Sequence, residues 1–178
     1  RRLFYQRLFA VNAFGFIFFL LSFRFGGHVS VQSLSVQFAL AVHFTMFALW
    51  IGALYPLLTI SRTEQVAELK VNLERFSKHA VLIVSLLLLS GLTMMLSLIH
   101  SMAELFTTAY GVALTLKILL VIGLLGIAAV NKLIIVPRLL LQADAAHFQR
   151  SVRVEIAVAV ILLLLTAYLS TALGPAMH

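Results

Sequence analysis

Five long apolar runs decide what this chain can fold into. They cover residues 8–23, 36–60, 80–99, 112–135 and 154–173. A helix needs about 20 apolar residues to cross a hydrocarbon layer of roughly 30 Å. Because 62% of the residues are hydrophobic and only 11% are charged, the chain has too little polar surface to cover these runs in water. The sequence therefore predicts an all-α, polytopic transmembrane helix bundle, with five spanning helices in a single domain.

The first apolar run follows three arginines, as a secretory signal would. However, the run lacks a small-residue cleavage site and ends in Phe23-Arg24. We therefore expect a retained spanning helix at 8–23. Since the chain begins at Arg1 rather than at Met, we interpret it as the C-terminal part of a longer protein.

Basic residues alternate between the two sides of the predicted bundle. Eleven of the thirteen Lys and Arg residues fall on one side: Arg1, Arg2, Arg7, Arg62, Lys70, Arg75, Lys78, Lys132, Arg138, Arg150 and Arg153. Short cytoplasmic loops collect Lys and Arg. We therefore expect the N-terminus of the chain inside the cell and His178 outside it.

A short amphipathic helix is predicted between the second and third spans. Ser61 and Glu64 have the spacing of a capping box. Apolar residues then recur at helical intervals, at Val66, Leu69, Leu73 and Phe76. Because segment 61–76 is too short to span and carries several charges, we expect it on the cytoplasmic surface of the membrane.

Soft metal ligands gather on the side predicted to be outside. The outer side holds all five methionines, Met46, Met94, Met95, Met102 and Met177, and the histidines His28, His43, His100 and His178. The chain has no cysteine, so thioether and imidazole groups are its soft ligands, and both suit Cu(I). Methionine is also ordinary packing in an apolar span, and the residues alone leave that alternative open.

The second span carries the best-defined pair of donors. His43 and Met46 lie three residues apart on one helix face, and Trp50 continues that face one turn deeper. A polar ring about 10 Å inside the span needs a partner, which favours a functional His43 over a structural one. The predicted metal ligands are His43, Met46, Met94, Met95, His100 and Met102, with Trp50 and His178 in support.

Three polar residues of the later spans have both a structural and a functional interpretation. Lys117 either extends to the outer headgroups or places a positive charge in the outer vestibule. Glu155 either pairs with Arg153 or Lys132, which we favour, or supplies a carboxylate at the cytoplasmic exit. Asn131 is a weaker candidate for that exit.

Two classes of function are disfavoured. The sequence lacks a phosphate-binding glycine loop, a zinc HExxH motif and a nucleophile elbow, so we do not expect an enzyme that works through its side chains. The net charge of +7 is distributed between apolar runs and makes no continuous basic face. We therefore expect lipids, and no nucleic acid, as partners.

Several short motifs together resemble the CopD (PcoD) family of bacterial copper-resistance membrane proteins. They are HFTMFALWIGALYP at 43–56, RFS at 75–77, AYG at 109–111 with Lys117, Asn131 with Pro137, and RSV at 150–152 with Glu155 before a helix that closes on Pro175. The resemblance covers about residues 41–175. It implies an inner-membrane protein that takes copper from the periplasm towards the cytoplasm and works with the periplasmic copper-binding protein CopC.

Two other functions remain open beside copper transport. The order of His43, Trp50, Gly52, Tyr55 and Pro56 is also similar to HemJ-like membrane oxidoreductases. That resemblance implies haem b, held by His43 and a second ligand such as His100, although the outer methionines have no role in such a pocket. The third function is that of an accessory subunit that packs against a partner through its small residues.

The distribution of basic residues makes the orientation testable. A periplasmic reporter fused after His178 is expected to be active, and the same reporter fused near Asp144 is expected to be inactive. The measurement is reporter activity in whole cells, normalised to the amount of fusion protein. The opposite pattern would reverse the orientation and the assignment of the methionines to the outer side.

Overall fold

The computed structural model describes Gly15 and residues 33–99, 101–139 and 142–173, and every regular element in these residues is helical. The α-helices are α1 Leu34–Thr63, α2 Val66–Leu98, α3 Glu104–Thr107, α4 Ala109–Val130 and α5 Gln142–Tyr168. Single π-helical turns continue α4 over Asn131–Ile135 and α5 over Leu169–Leu173. The prediction of an all-α fold is confirmed.

Among the described residues, four helices are long and apolar enough to cross a membrane. They are Leu34–Thr63, Val66–Leu98, Ala109–Ile135 and Ala145–Ala172, with 27 to 33 residues each. They cover the last four predicted spans to within one residue, and each begins before the predicted start. The predicted span at 8–23 lies outside the described residues.

The helix faces on the periphery of the bundle are apolar. Large side chains on all four are exposed, for example Leu49, Leu82, Leu119 and Leu164. In water such a surface would favour aggregation, whereas in a bilayer it contacts acyl chains of similar polarity. The exposed surface of the bundle therefore fits lipid as its solvent.

The predicted amphipathic helix is not a separate element. Segment 66–76 forms the first turns of α2, which continues without a break to Leu98. The capping box is also absent, because Ser61 lies inside α1 and donates to the Leu58 carbonyl, while Glu64 ends α1. The prediction failed because an amphipathic start and an apolar continuation share the same helical period, and nothing between residues 76 and 80 interrupts the backbone hydrogen bonds.

The end of the bundle at the 64–65 turn, here called the basic end, is tightly connected. The Lys70 ammonium donates to the Pro137 carbonyl at 3.0 Å, and the Gln149 amide donates to the Ser61 carbonyl at 2.8 Å. A core cluster lies beneath these bonds: Leu54, Leu57, Leu58, Leu69, Leu73, Val136, Leu139, Ala145, Phe148 and Val152. These contacts join α1, α2, α5 and the connection after α4.

Gly111 allows α3 to fold back onto the start of α4. The Thr108 hydroxyl caps α4 by accepting from the Gly111 N–H at 2.9 Å. A Cβ atom at Gly111 would overlap the Glu104 carbonyl group. Because that obstacle is backbone, it cannot move aside by a side-chain rotation.

Substitution of this glycine should therefore destabilise the bundle. Gly111→Ala is expected to reduce the free energy of unfolding by about 1–3 kcal/mol, as overpacking does. The matched control is Gly126→Ala on α4, because a Cβ there meets nothing within 4 Å. Thermal unfolding in detergent micelles is the measurement, and equal melting temperatures for the two variants would contradict the described packing of α3.

Candidate functional site

His43 lies at the interface of α1 and α2, where its ring is held by α2. Its Nδ1 atom is 3.1 Å from the Leu87 carbonyl oxygen and 3.3 Å from the Ser90 hydroxyl. Because a carbonyl only accepts, Nδ1 carries the proton and donates it to Leu87. This bond leaves Nε2 with its lone pair, and a backbone carbonyl on Nδ1 is the arrangement that orients histidines for metal binding.

Gly91 makes room for the His43 ring. A Cβ at position 91 would lie 3.1 Å from Cε1 and 3.3 Å from Nδ1 of His43. These distances are tighter than ordinary van der Waals contact, so a larger residue would displace the imidazole. Gly91 thus both lets α1 approach α2 and sets the ring position.

The methionines continue this interface along the helix axes. Met94 and Met95 lie three and four residues after Gly91, so they share its face of α2. They are about one turn, roughly 5 Å, further from the basic end than Gly91. Met46 lies one turn beyond His43 in the opposite direction, towards the basic end. All three side chains are half-buried.

Met102 joins this set although α2 ends at Leu98. Met95 and Met102 line one small cavity of about 100 Å³, together with Ile99 and Ser101. Two residues seven apart would share a face in a continuous helix, whereas here the turn after α2 brings Met95 and Met102 together. We call Met102, Met95, Met94, His43 and Met46 the donor ladder, in order towards the basic end.

The donor ladder leads to a larger cavity nearer the basic end. This central cavity has a volume of about 280 Å³ and lies between α2 and α4, with α1 and α5 contributing to its lining. Trp50 is 7% exposed and lines the cavity four residues after Met46. The predicted supporting position Trp50 therefore lies between the ladder and the cavity.

Glu155 and Asn131 meet in the wall of the central cavity. Glu155 is 4% and Asn131 is 7% exposed, and the Asn131 Nδ2 donates to the Glu155 Oε1. The favoured prediction, that Glu155 pairs with Arg153 or Lys132, is wrong: its partner comes from the turn after α4. Arg153 instead donates to the Gln149 carbonyl on its own helix.

The assignment of Lys117 to the outer vestibule stays a prediction. Lys117 on α4 is half-buried, and its charge lies within electrostatic range of the His43 ring. Its ammonium would repel a cation on His43 but would attract an anionic group there.

The described residues contain no group of three or more His, Cys, Asp or Glu side chains that could hold a metal. The predicted positions His100 and His178 lie outside the described residues. Sequence reasoning missed Ser90 and the Leu87 carbonyl as positioning groups, although the Ser90-Gly91 pair inside an apolar run was a visible signal.

The pairing of Asn131 with Glu155 should stabilise the bundle. Asn131→Leu would leave a buried carboxyl group without a donor, so we expect a loss of about 1–3 kcal/mol of unfolding free energy. The matched control is Asn72→Leu, which breaks a 2.9 Å amide bond to the less buried Glu64. Thermal unfolding compares the two, and an equal or larger loss in Asn72→Leu would contradict the assignment.

Comparison with known protein families gives one match. Residues 70–169, more than half of the chain, match the family model described as CopD, copper resistance protein D. The matched range includes Met94, Met95, Met102, Lys117, Asn131 and Glu155, and begins after His43, Met46 and Trp50. Comparisons with curated proteins and with solved structures gave no match.

Proposed function

The chain belongs to the CopD family of copper resistance proteins, and on that premise we propose that it transports copper ions across the bacterial inner membrane. Copper would enter at the end of the bundle that holds Met102, pass along the donor ladder and leave at the basic end. In this way the protein would contribute to copper resistance and homeostasis. It would act as a transporter rather than as a side-chain enzyme.

The donor ladder is the observation that carries this proposal. Its thioethers and its imidazole lie at successive levels along α1, α2 and the turn after α2, and these are the neutral ligands that Cu(I) prefers. An ion that exchanges one such ligand for the next keeps a partner throughout, whereas an unpaired charge inside a bilayer is costly. The His43 Nε2 is already oriented for a ligand by the Leu87 carbonyl.

The inward direction of transport is what the resemblance to the CopD family implies. The eleven basic residues predict that the basic end lies in the cytoplasm, so copper would be captured in the periplasm by Met95 and Met102. A periplasmic copper-binding protein of the CopC type is the expected donor. Met102 suits such a delivery because it is 67% exposed.

Haem b binding is a second candidate function, favoured by Lys117. A lysine near His43 disfavours a second cation there, but it would pair well with a haem propionate. The His43 Nε2 would then serve as an axial ligand. One measurement, the visible absorption spectrum, distinguishes the two functions, because haem absorbs visible light strongly and Cu(I) does not.

Removal of the His43 ring tests the copper site. His43→Ala removes a proposed ligand and is expected to lower copper affinity roughly 100-fold. Gly91→Val displaces the His43 ring and is expected to lower it about tenfold, since changes in groups that orient metal ligands cost about 10–100-fold. The measurement is Cu(I) competition with a chromophoric chelator, using the full chain in lipid nanodiscs. Copper-dependent growth of cells provides the matching phenotype.

The matched control is His79→Ala, because His79 is exposed on α2 and its ring bonds to the Arg75 carbonyl of its own helix. Each variant must reach the membrane at wild-type levels. Unchanged copper affinity in His43→Ala and in Met46→Leu, alone and together, would reject the donor ladder. A Soret band in the wild type that disappears in His43→Ala would decide for haem.

A further inference from the structure

The central cavity contains an ionisable group that copper transport along the donor ladder does not use. Glu155 is 4% exposed and lies within the span Ala145–Ala172. Its partner is a neutral amide, and no ion pair to it occurs among the described residues. A carboxylate charge without a counter-charge is expensive in this environment, which favours the neutral acid.

The groups that surround Glu155 provide little compensating charge. α1 and α2 contribute apolar side chains and the hydroxyl groups of Ser77 and Ser85 to the cavity lining. α4 and its π turn contribute Asn131 and Lys132. Among the described lining residues, Lys132 is the one other titratable group, and it is exposed. A lysine near the end of a span can extend its ammonium group to the membrane surface, so Lys132 provides little compensation inside the cavity.

Asn131 provides the second, independent observation. While its Nδ2 donates to Glu155, its Oδ1 is buried and has no hydrogen-bond partner among the described residues. A buried acceptor without a donor is uncommon and costs about 1–3 kcal/mol. A protonated carboxyl group can supply the missing donor. An acid and a primary amide then form a cyclic pair, in which the N–H donates to one carboxyl oxygen and the O–H donates to the amide oxygen.

The backbone also singles out this position. Asn131 begins the π-helical turn after α4, and its carbonyl accepts from the Val136 N–H at 2.9 Å. A π turn inserts one residue into a helix and is frequent at functional sites. Here it changes the helical register at the point where the amide enters the cavity wall.

We propose that Glu155 and Asn131 form a proton-binding site inside the membrane span. One carboxylate oxygen of Glu155 takes a proton from a hydronium ion that reaches the central cavity through water, which leaves a neutral water molecule, and the new O–H group donates to the Asn131 Oδ1. Release transfers the proton to a water of the cavity and forms hydronium again. The exposed Lys132 belongs to the lining, so the cavity reaches the surface at the basic end. Its volume of about 280 Å³ is enough for several waters at roughly 30 Å³ each.

This site goes beyond copper transport, because it does not depend on the identity of the cargo. A carboxyl group that gains and loses a proton within the span changes the local charge by one unit. It can therefore offset the charge of a cation that passes through the same cavity.

Infrared spectroscopy of the full chain in lipid nanodiscs, recorded without copper over a range of pH, tests the proposal. The wild type is expected to show the carbonyl stretch of a buried carboxylic acid, which shifts in heavy water because the proton exchanges. The band should be lost in Glu155→Gln. It should persist in Glu74→Gln, the matched control, since Glu74 is exposed on α2 at the basic end.

Asn131→Leu provides a second arm that keeps Glu155. Loss of the amide partner should move the band to higher frequency. If Glu155→Gln does not fold, labelling of the wild type with 13C-glutamate identifies the band, because the heavier carboxyl carbon lowers its frequency. The absence of such a band at every pH would overturn the proposal. So would a band whose frequency changes neither with the glutamate label nor in Asn131→Leu. Because copper is absent, either failure leaves the His43 affinity measurements unaffected.

Discussion

The lack of water in a hydrocarbon layer is the constraint on which the structure depends. Every backbone N–H and C=O inside the layer must find a partner within the protein, and a helix satisfies them locally. Hydroxyl groups follow the same rule, since Thr45, Thr93 and Thr166 each donate to the carbonyl four residues earlier. Near the end of α1, the Gln149 side-chain amide donates to the Ser61 carbonyl, so a side chain of α5 provides the partner that this carbonyl needs.

The same constraint makes polar side chains in the spans informative. The Nδ1 of His43 is satisfied by Leu87 and Ser90, which leaves the other ring nitrogen oriented for a ligand. The Glu155 carboxyl group is satisfied by one amide N–H, which leaves the amide oxygen without a donor. In both cases a polar atom without a partner is the basis of a proposal: a metal or haem ligand at His43, and a proton shared by Glu155 and Asn131.

The sequence singled out His43 and Glu155 as unusual residues in apolar spans but did not predict the contacts that they make. His43 was recognised because an imidazole deep in an apolar run needs a partner, and the partner was found on α2. Glu155 was assigned to a nearby cation because Arg153 and Lys132 are close along the chain or at the same predicted end, yet the bundle pairs it with Asn131. The 61–76 segment failed similarly, because local periodicity cannot show whether a surface helix and a span are continuous.

The sequence by itself determined the all-helical fold, the positions of the four described spans and the family, because hydropathy, run length and short motifs are local properties of the chain. Only the tertiary structure decided that Leu87 and Ser90 orient His43, that Met95 and Met102 share a cavity, and that Asn131 meets Glu155. Two of these pairings join residues 24 and 44 positions apart in the sequence. Their geometry follows from how the helices rotate and pack against each other, which no local pattern encodes.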